Sequence, residues 1–343
     1  MRKGFPVGVL LCALTSFFAA SAAAQGIKWH PGHYVMFGTD DSKWQVLQNI
    51  QEIGDEPSIK GVQVRMRWHD LETSKGVYDF SAIDAYLAKL RAQPTRKQLV
   101  VRVIDRAFNT SSSGGIVPNY LLSSTYNGGI VRTKTGYVAR LWEPAVMDRL
   151  IALHSAIGRR YDDDIRFEGL ATEETTLSLN TPFPGGYSHA KLEAQYERLA
   201  RAVRIAMPSS NFFLYTNWIG SADLMDDLLQ SLVVPRAAAG GSNIFPGTKT
   251  LGQRVWTGEF GADYRWLLAL SSSVEAGELR DYTPKQINDW AYNTLRLNHI
   301  FWVRNTWAGD ASRRWDTGIL PFLRTKPPIR TRCPDSISVC VRW

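Results

Sequence analysis

The sequence has few cysteines, no long hydrophobic run after its amino terminus and no concentrated basic segment. Three Cys in 343 residues exclude a small disulfide-rich scaffold. After residue 24 no stretch reaches the roughly 20 apolar residues that a membrane-spanning helix needs, so we expect no stable membrane insertion. Five consecutive basic residues never occur, which argues against a nucleic acid as partner.

Motifs for cofactors and metals are also missing. The chain has no P-loop, no GxSxG elbow, no HExxH, and no GxGxxG after its first predicted strand. Six His are scattered, and only His30 and His33 lie close together in the sequence. We therefore expect neither a metal nor a cofactor. Hydrophobic residues make up 44% and charged residues 21% of the chain, which is typical of a globular protein and excludes disorder.

The amino terminus resembles a signal for export. Arg2 and Lys3 precede an apolar stretch, Val7 to Phe18, and three alanines end at Ala24. This pattern predicts a signal peptide over residues 1–24 and a secreted or periplasmic mature chain. Removing two basic residues lowers the formal net charge from +8 to +6, because 38 Lys and Arg then face 32 Asp and Glu.

Two cysteines remain after that cleavage, Cys333 and Cys340. Their closeness in an exported chain predicts one disulfide that closes a small loop, with two free thiols as the alternative. We expect a single domain over residues 25–330 and a carboxyl-terminal tail over residues 331–343.

Short β-rich runs alternate with helical patterns along the mature chain. The predicted strands are His33–Gly38, Gly61–Arg67, Gln98–Asp105, Ile165–Thr172, Phe212–Thr216, Ala239–Phe245, Arg254–Glu259 and His299–Arg304. The clearest helices are Phe80–Arg91, Pro144–Arg160, Ser188–Met207 and Pro284–Leu297. Eight strands alternating with helices predict an α/β fold, a (β/α)8 TIM barrel. An open doubly wound sheet is the alternative, but its glycine-rich first turn is missing.

Carboxylates follow two of the predicted strands. Glu173 and Glu174 end the fourth strand, while Glu259 ends the seventh and Asp263 follows it closely. In a barrel these ends share one mouth, where two carboxylates can hydrolyse a glycosidic bond as proton donor and as nucleophile or base. The alternative is that each acid forms an ion pair at the rim.

Several segments resemble the (β/α)8 glycoside hydrolases of the large retaining clan that includes cellulases, xylanases and β-galactosidases. They are Val64–Glu72, Gly76–Asp84, Glu143-Pro144 with the helix that follows, and Ile300–Asn305. The resemblance covers roughly residues 30–325 and identifies a clan, not a family. It implies an acid/base Glu after strand four and a nucleophile Glu after strand seven.

Carried onto this chain, the resemblance makes Glu259 the nucleophile and Glu174 the acid/base. The clan usually has Asn directly before the acid/base, whereas Glu173 stands before Glu174 here. Glu173 as the acid/base, preceded by Thr172, is the other assignment, and we prefer Glu174.

Other residues near predicted strand ends are candidates for substrate binding. Arg65 or Arg67 could keep the nucleophile ionised or form structural ion pairs. Tyr215, Asn217 and Asp105 could bind sugar hydroxyls, and Asp263 is a reserve acid. The remaining candidates are the tryptophans that could stack on sugars or pack in the core: Trp68, Trp218, Trp256 and Trp302.

The sequence therefore predicts an exported, monomeric glycosidase that cleaves a β-linked polysaccharide or oligosaccharide with retention of configuration. One alternative is a carbohydrate-binding barrel without catalysis. The other is a polysaccharide lyase acting on an acidic glycan, which the basic charge of the mature chain favours.

Overall fold

The computed structural model describes residues 26–38, 40–108, 115–247, 267–304, 309–335 and 337–342. Eight parallel strands form its central sheet. They are β1 (Gly32–Met36), β2 (Ile59–Arg67), β3 (Gln98–Ile104), β4 (Phe167–Glu174), β5 (Asn211–Tyr215), β6 (Ala238–Gly240), β7 (Ser271–Val274) and β8 (His299–Val303).

The sheet closes into a barrel. Its strands lie in the order β6-β5-β4-β3-β2-β1-β8-β7. The two outermost strands meet through a parallel bridge between Ala239 and Leu270, and the backbone N–H of Ala239 donates to Ala269 O over 3.0 Å. Closure brings the carboxyl ends of all eight strands to one mouth. The predicted (β/α)8 barrel is confirmed.

Seven of the eight predicted strands coincide with barrel strands, and the prediction for strand seven is wrong. Arg254–Glu259 lies outside the described residues, and Ser271–Val274 occupies the seventh position in the sheet. Three consecutive serines make this strand polar, although all four of its residues are buried. The Ser272 hydroxyl donates to Gly241 O over 2.8 Å, a contact that only the closed barrel supplies.

Helices surround the barrel and pack their apolar faces against it. They are α1 (Lys43–Glu52), α2 (Ser81–Arg91), α3 (Pro144–Tyr161), α4 (His189–Ala206), α5 (Ala222–Val233), α6 (Ala276–Asp281), α7 (Pro284–Asn293) and α8 (Leu320–Arg324). Helix α7 begins as predicted, because the Thr283 hydroxyl accepts from the N–H of Gln286. It ends earlier than the predicted Leu297, since Arg296 has a left-handed backbone with φ +55°. None of the helices in the described ranges has the length and hydropathy to span a membrane.

The tail after α8 returns to the amino-terminal end of the barrel. Cys333 and Cys340 form a disulfide, which confirms that prediction. The short strand Cys340–Val341 pairs in parallel with Ile27–Lys28. Trp29 Nε1 donates to Thr331 O over 3.0 Å, so that the tail is fixed against the segment that enters β1.

A buried carboxylate organises the same end of the barrel. Glu168, at the start of β4, is fully buried and lies 2.6 Å from His30 Nδ1 and 3.2 Å from His299 Nε2. Asn211 Nδ2 donates to it over 3.1 Å. Burial alone would raise the pKa of Glu168, but the hydrogen bonds and charges of the two histidines lower it to about 2.

The low pKa of Glu168 makes folding stability depend on pH. A carboxylate with a folded pKa of about 2 and an ordinary value of 4.5 stabilises the fold above pH 4.5 and loses this contribution as the pH falls towards 2. The shift corresponds to about 3 kcal/mol. We expect Glu168→Gln to unfold at lower urea concentration near neutral pH, and to lose less further stability on acidification than the wild type. Urea unfolding measured at several acidic pH values tests this, and parallel pH profiles for the two proteins would contradict it.

Candidate active site

Acidic residues from two strands meet at the carboxyl-terminal mouth of the barrel. Glu173 and Glu174 are the last residues of β4, and Glu275 follows β7 directly. The site therefore has the expected arrangement of carboxylates after strands four and seven, with Glu275 at the position that we had predicted for Glu259.

Two arginines point into the barrel below this mouth. Arg65 on β2 and Arg102 on β3 are direct partners in the register of the two strands. Arg102 is 1% exposed, and its guanidinium lies 4.4 Å from the centre of the Tyr215 ring. Two neighbouring cations in the barrel interior repel each other, so their burial requires carboxylates nearby.

Glu173 supplies the first of these carboxylates. Its Oε2 lies 2.8 Å from Arg102 Nη2, and its Oε1 lies 3.5 Å from Arg65 Nη2. Burial alone would raise the pKa of Glu173, but Arg102, Arg65 and Arg106 together hold it below its ordinary value. Both oxygens are occupied and the side chain is fully buried, so Glu173 serves as the counterion of the two arginines.

Glu275 is the second carboxylate beside the same arginines. Its Oε1 lies 3.8 Å from Arg102 Nη1, and its Oε2 lies 4.0 Å from Arg65 Nη1. The Glu275 side chain is 29% exposed, so it also faces the open mouth. Within the described residues Arg102 Nη1 is buried without a hydrogen-bond partner, which leaves it free to follow a change at Glu275.

Glu174 is held differently, by an amide. Asn217 Nδ2 donates to Glu174 Oε2 over 2.7 Å. The orientation of that amide is fixed, because Asn217 Oδ1 accepts from the N–H groups of Thr176 at 2.9 Å and Trp218 at 3.0 Å. In the described part of the chain Glu174 Oε1 has no hydrogen-bond partner, so this oxygen is available to a ligand.

A further carboxylate, Glu278, lies behind Glu275. Glu278 Oε2 accepts from the N–H of Glu275 over 2.6 Å, and the residue is 8% exposed. Burial is the main cause that raises its pKa to about 7, and the charges of Glu275 and Glu174 add to the effect. This carboxyl group therefore titrates near neutral pH, next to the two acids of the mouth.

The end of β3 braces the end of β4. Arg106 Nη1 donates to Thr176 O over 2.6 Å, and its Nη2 donates to Glu174 O. Arg106 also pairs with Asp105 at 3.2 Å. Burial raises the pKa of Asp105, against the lowering effect of Arg106. Asp105 is thus in place at the mouth but is 3% exposed, as the partner of Arg106.

Tyr215 forms part of the floor of the mouth. It is fully buried, and its hydroxyl accepts from Gln63 Nε2 over 3.1 Å. Gly240 on β6 makes room for it, since a Cβ there would lie 2.2 Å from Tyr215 Cδ1. Tyr215 therefore contacts Arg102 from below and has no surface that a ligand could reach.

Of the tryptophans that we expect to stack on sugars, two are buried in the core and one is partly exposed at the mouth. Trp68 and Trp302 are fully buried, and their indole N–H groups donate to Glu72 Oε2 and to His33 Nδ1. We therefore leave both out of the substrate-binding surface. Trp218 is partly exposed beside Asn217, where it can contact a ligand.

Arg67 and the residues predicted around strand seven do not join the cluster. Arg67 pairs with the exposed Asp40 at the rim. Glu259, Trp256 and Asp263 lie outside the described residues. In the described ranges, no three His, Cys, Asp or Glu side chains are placed to hold a metal ion.

Sequence reasoning missed Arg102, Glu275 and Glu278. Arg102 sits inside an otherwise apolar run, Gln98–Ile104, and a charged residue in the middle of a buried strand was a usable signal. Glu275 and Glu278 have the spacing of a capping box at the start of a helix. The run of serines before them concealed the strand that they follow.

Comparison with known proteins places the fold but no family. No protein-family model and no curated protein matches the sequence. Among solved structures, the catalytic domain of β-amylase from Paenibacillus polymyxa is similar over 88% of this chain and 100% of its own, with a TM-score of 0.58 and 9% identity.

Two other solved structures are similar to this chain at comparable coverage. A GH5_18 protein from Streptomyces cattleya, in complex with GlcNAc, covers 89% of this chain and 82% of its own, with a TM-score of 0.54 and 12% identity. Endo-glycoceramidase II from Rhodococcus sp., described as a lactosyl-enzyme intermediate, covers 87% and 78%, with a TM-score of 0.52 and 13% identity. At such identities the likeness shows the (β/α)8 barrel.

The buried ion pair between Arg102 and Glu173 should make the free energy of unfolding more sensitive to loss of one partner than to loss of both. Removing one partner of a buried pair leaves an uncompensated charge and costs about 3 kcal/mol or more. We expect Arg102→Met to lower the free energy of unfolding by about that amount, and Arg102→Met/Glu173→Gln to recover much of the loss. Urea unfolding of the two single variants and the double variant measures the coupling. Additive losses in the double variant would show that the two side chains act independently.

Proposed function

We propose that this protein is a retaining glycoside hydrolase acting on a β-linked polysaccharide or oligosaccharide, with Glu275 as nucleophile and Glu174 as acid/base. The observation that carries the proposal is the placement of these two partly exposed carboxylates after β7 and β4, at one barrel mouth. Glycoside hydrolysis with retention requires two such carboxylates, one on each side of the bond that breaks.

The nucleophile must carry a negative charge when the sugar arrives. Arg102 and Arg65 place two guanidinium groups within 4.0 Å of the Glu275 carboxylate and stabilise that charge. Arg102 donates a hydrogen bond to Glu173 and only approaches Glu275 to 3.8 Å, so the arginines do not bind Glu275 tightly. The carboxylate keeps lone pairs for attack on the anomeric carbon.

The acid/base must present its proton to the leaving oxygen. Because Glu174 Oε2 already accepts from Asn217, the proton of the acid form belongs on Oε1. Glu174 Oε1 donates this proton as the bond between the anomeric carbon and the leaving oxygen breaks, and a glycosyl ester forms on Glu275. Glu174 then takes a proton from the water that attacks this ester, which frees the sugar and restores the acid form of Glu174 and the carboxylate of Glu275.

Glu173 is not the acid/base in this proposal. Both of its oxygens face arginines and its side chain is fully buried, so it cannot reach a glycosidic oxygen. It occupies the position at which the clan usually has Asn. Loss of the amide at that position removes a donor to the sugar, and the amide that contacts Glu174 in this protein is that of Asn217.

Sugar binding and export complete the proposal. Trp218 at the mouth, and the cluster that Phe183 forms with Tyr187 and His189 in the segment between β4 and α4, offer aromatic surface for sugar rings. Comparison with endo-glycoceramidase II, described as a lactosyl-enzyme intermediate, supports a covalent route. We propose that residues 1–24 direct export, as their basic start and apolar stretch suggest.

Activity assays on purified residues 25–343 test the assignment. A panel of polysaccharides and aryl β-glycosides should yield new reducing ends, with the β-anomer formed first in proton NMR. We expect Glu275→Gln to abolish turnover. We expect Glu174→Gln to lose about 10²–10⁴-fold in kcat/KM on natural linkages. The loss should be much smaller on dinitrophenyl glycosides, because that leaving group needs no proton.

The matched control is Glu197→Gln, which removes a carboxylate from α4 on the outside of the barrel. It should keep wild-type turnover. If the α-anomer formed first, the enzyme would invert the configuration instead of retaining it. A product that absorbs in the ultraviolet would identify a lyase. Binding of glycans without turnover in every protein would leave a carbohydrate-binding barrel.

A further inference from the structure

A second cavity lies at the opposite end of the barrel from the carboxylates. It has a volume of about 410 Å³, and its walls are the segment before β1, the starts of β2 and β3, and the tail. Ligand sites in proteins have volumes of about 300–1,000 Å³, so this cavity has room for a small molecule.

Cations predominate in the lining of this cavity. Lys60, Arg96, Lys97 and Arg342 contribute to it, and none of its lining residues is acidic. Lys97 is fully buried, and its Nζ donates to the backbone oxygens of Glu56 and Ile59. The other three are exposed and, in the described part of the chain, form no ion pair.

Two buried acids near the cavity have partners of their own. Glu56 lies 2.7 Å from Arg324 Nε and accepts from the Ser58 hydroxyl. Glu168, below the cavity, lies between His30 and His299. The charges of Glu56 and Asp55 act on Lys97. No acid is among the lining residues, so an anion in the cavity would be attracted by Lys60, Arg96 and Arg342.

Repulsion within the basic region is visible at a neighbouring side chain. Arg166, at the start of β4, has its pKa lowered by burial and further by the charge of Arg96. Arg166 and Arg96 are like charges close enough to interact, so an anion that binds beside Arg96 would reduce the repulsion between them. This repulsion is an observation separate from the shape of the cavity, and it also favours an anionic ligand.

The tail fixes one of these cations in place. Arg342 Nη2 donates to Thr331 O over 2.5 Å, the same oxygen that accepts from Trp29 Nε1. The disulfide between Cys333 and Cys340 closes the loop that joins Thr331 to Arg342. Arg342 is therefore held against the barrel although it stands next to the end of the chain.

We propose that this cavity binds a small molecule that carries a phosphate or sulfate ester, with Arg96, Arg342 and Lys60 contacting the anionic group. Guanidinium groups bind such anions through paired N–H donors, and lysine adds a point charge. The cavity is larger than a bare phosphate requires, so the remaining volume suits the carbon skeleton of a sugar-sized ligand. The site lies apart from the barrel mouth and does not depend on the activity proposed for it.

Calorimetric titration of residues 25–343 with glucose 6-phosphate, inorganic phosphate and glucose, at constant ionic strength, tests the proposal. We expect glucose 6-phosphate to bind and glucose not to bind. Arg96→Gln and Arg342→Gln should each weaken the binding by about tenfold or more. Arg201→Gln, which removes an exposed arginine from α4, should bind like the wild type.

Comparing glucose 6-phosphate with inorganic phosphate also shows whether the cavity recognises a phosphate ester or the phosphate group alone. Tighter binding of glucose 6-phosphate than of phosphate supports an ester whose sugar fills the cavity, whereas equal binding supports recognition of the phosphate group alone. Loss of binding in Glu275→Gln but not in Arg96→Gln would move the ligand to the barrel mouth and overturn the proposal. Absence of binding to the wild type, or equal binding to all the arginine variants, would overturn it as well.

Discussion

The ion pair between Arg102 and Glu173 is the interaction on which the mouth of the barrel depends. Both side chains are buried within the barrel, where an uncompensated charge costs several kcal/mol. The pairing offsets that cost and places a guanidinium group within 3.8 Å of Glu275. It also removes Glu173 from contact with solvent. Of the two adjacent acids on β4, Glu173 is therefore buried and Glu174 stays partly exposed at the mouth.

The barrel is apolar in its middle and polar at both ends. Met36, Val100, Ala171, Phe213 and Phe301 are buried together inside it. Carboxylates dominate the mouth above this layer, and cations dominate the cavity at the opposite end. The apolar layer lies between the two regions, so a ligand in one of them does not contact the charged side chains of the other. We have accordingly assigned them separate ligands, a glycan above and a small anion below.

Much of the fold could be predicted from the sequence because barrel strands and helices carry local signals. Strands such as Gln98–Ile104 are nearly continuous apolar runs, and helices such as α7 begin with a proline after a capping threonine. Strand β7 carries no such signal, because its three serines are polar although they are buried. The acceptor of the Ser272 hydroxyl, Gly241 O, comes from a distant part of the chain. A pattern read along the chain cannot reveal partners that come from elsewhere in the chain.

The same distinction applies to the candidate site. A barrel of eight strands, a disulfide in the tail and a pair of acids at the end of strand four could be predicted from local periodicity, spacing and residue type. Contacts between distant parts of the chain place Glu275 after strand seven, make Glu173 the counterion of Arg65 and Arg102, and bury Trp68 and Trp302 in the core. Burial and charge pairing depend on which residues are in contact in the folded chain, and closure of the barrel creates these contacts.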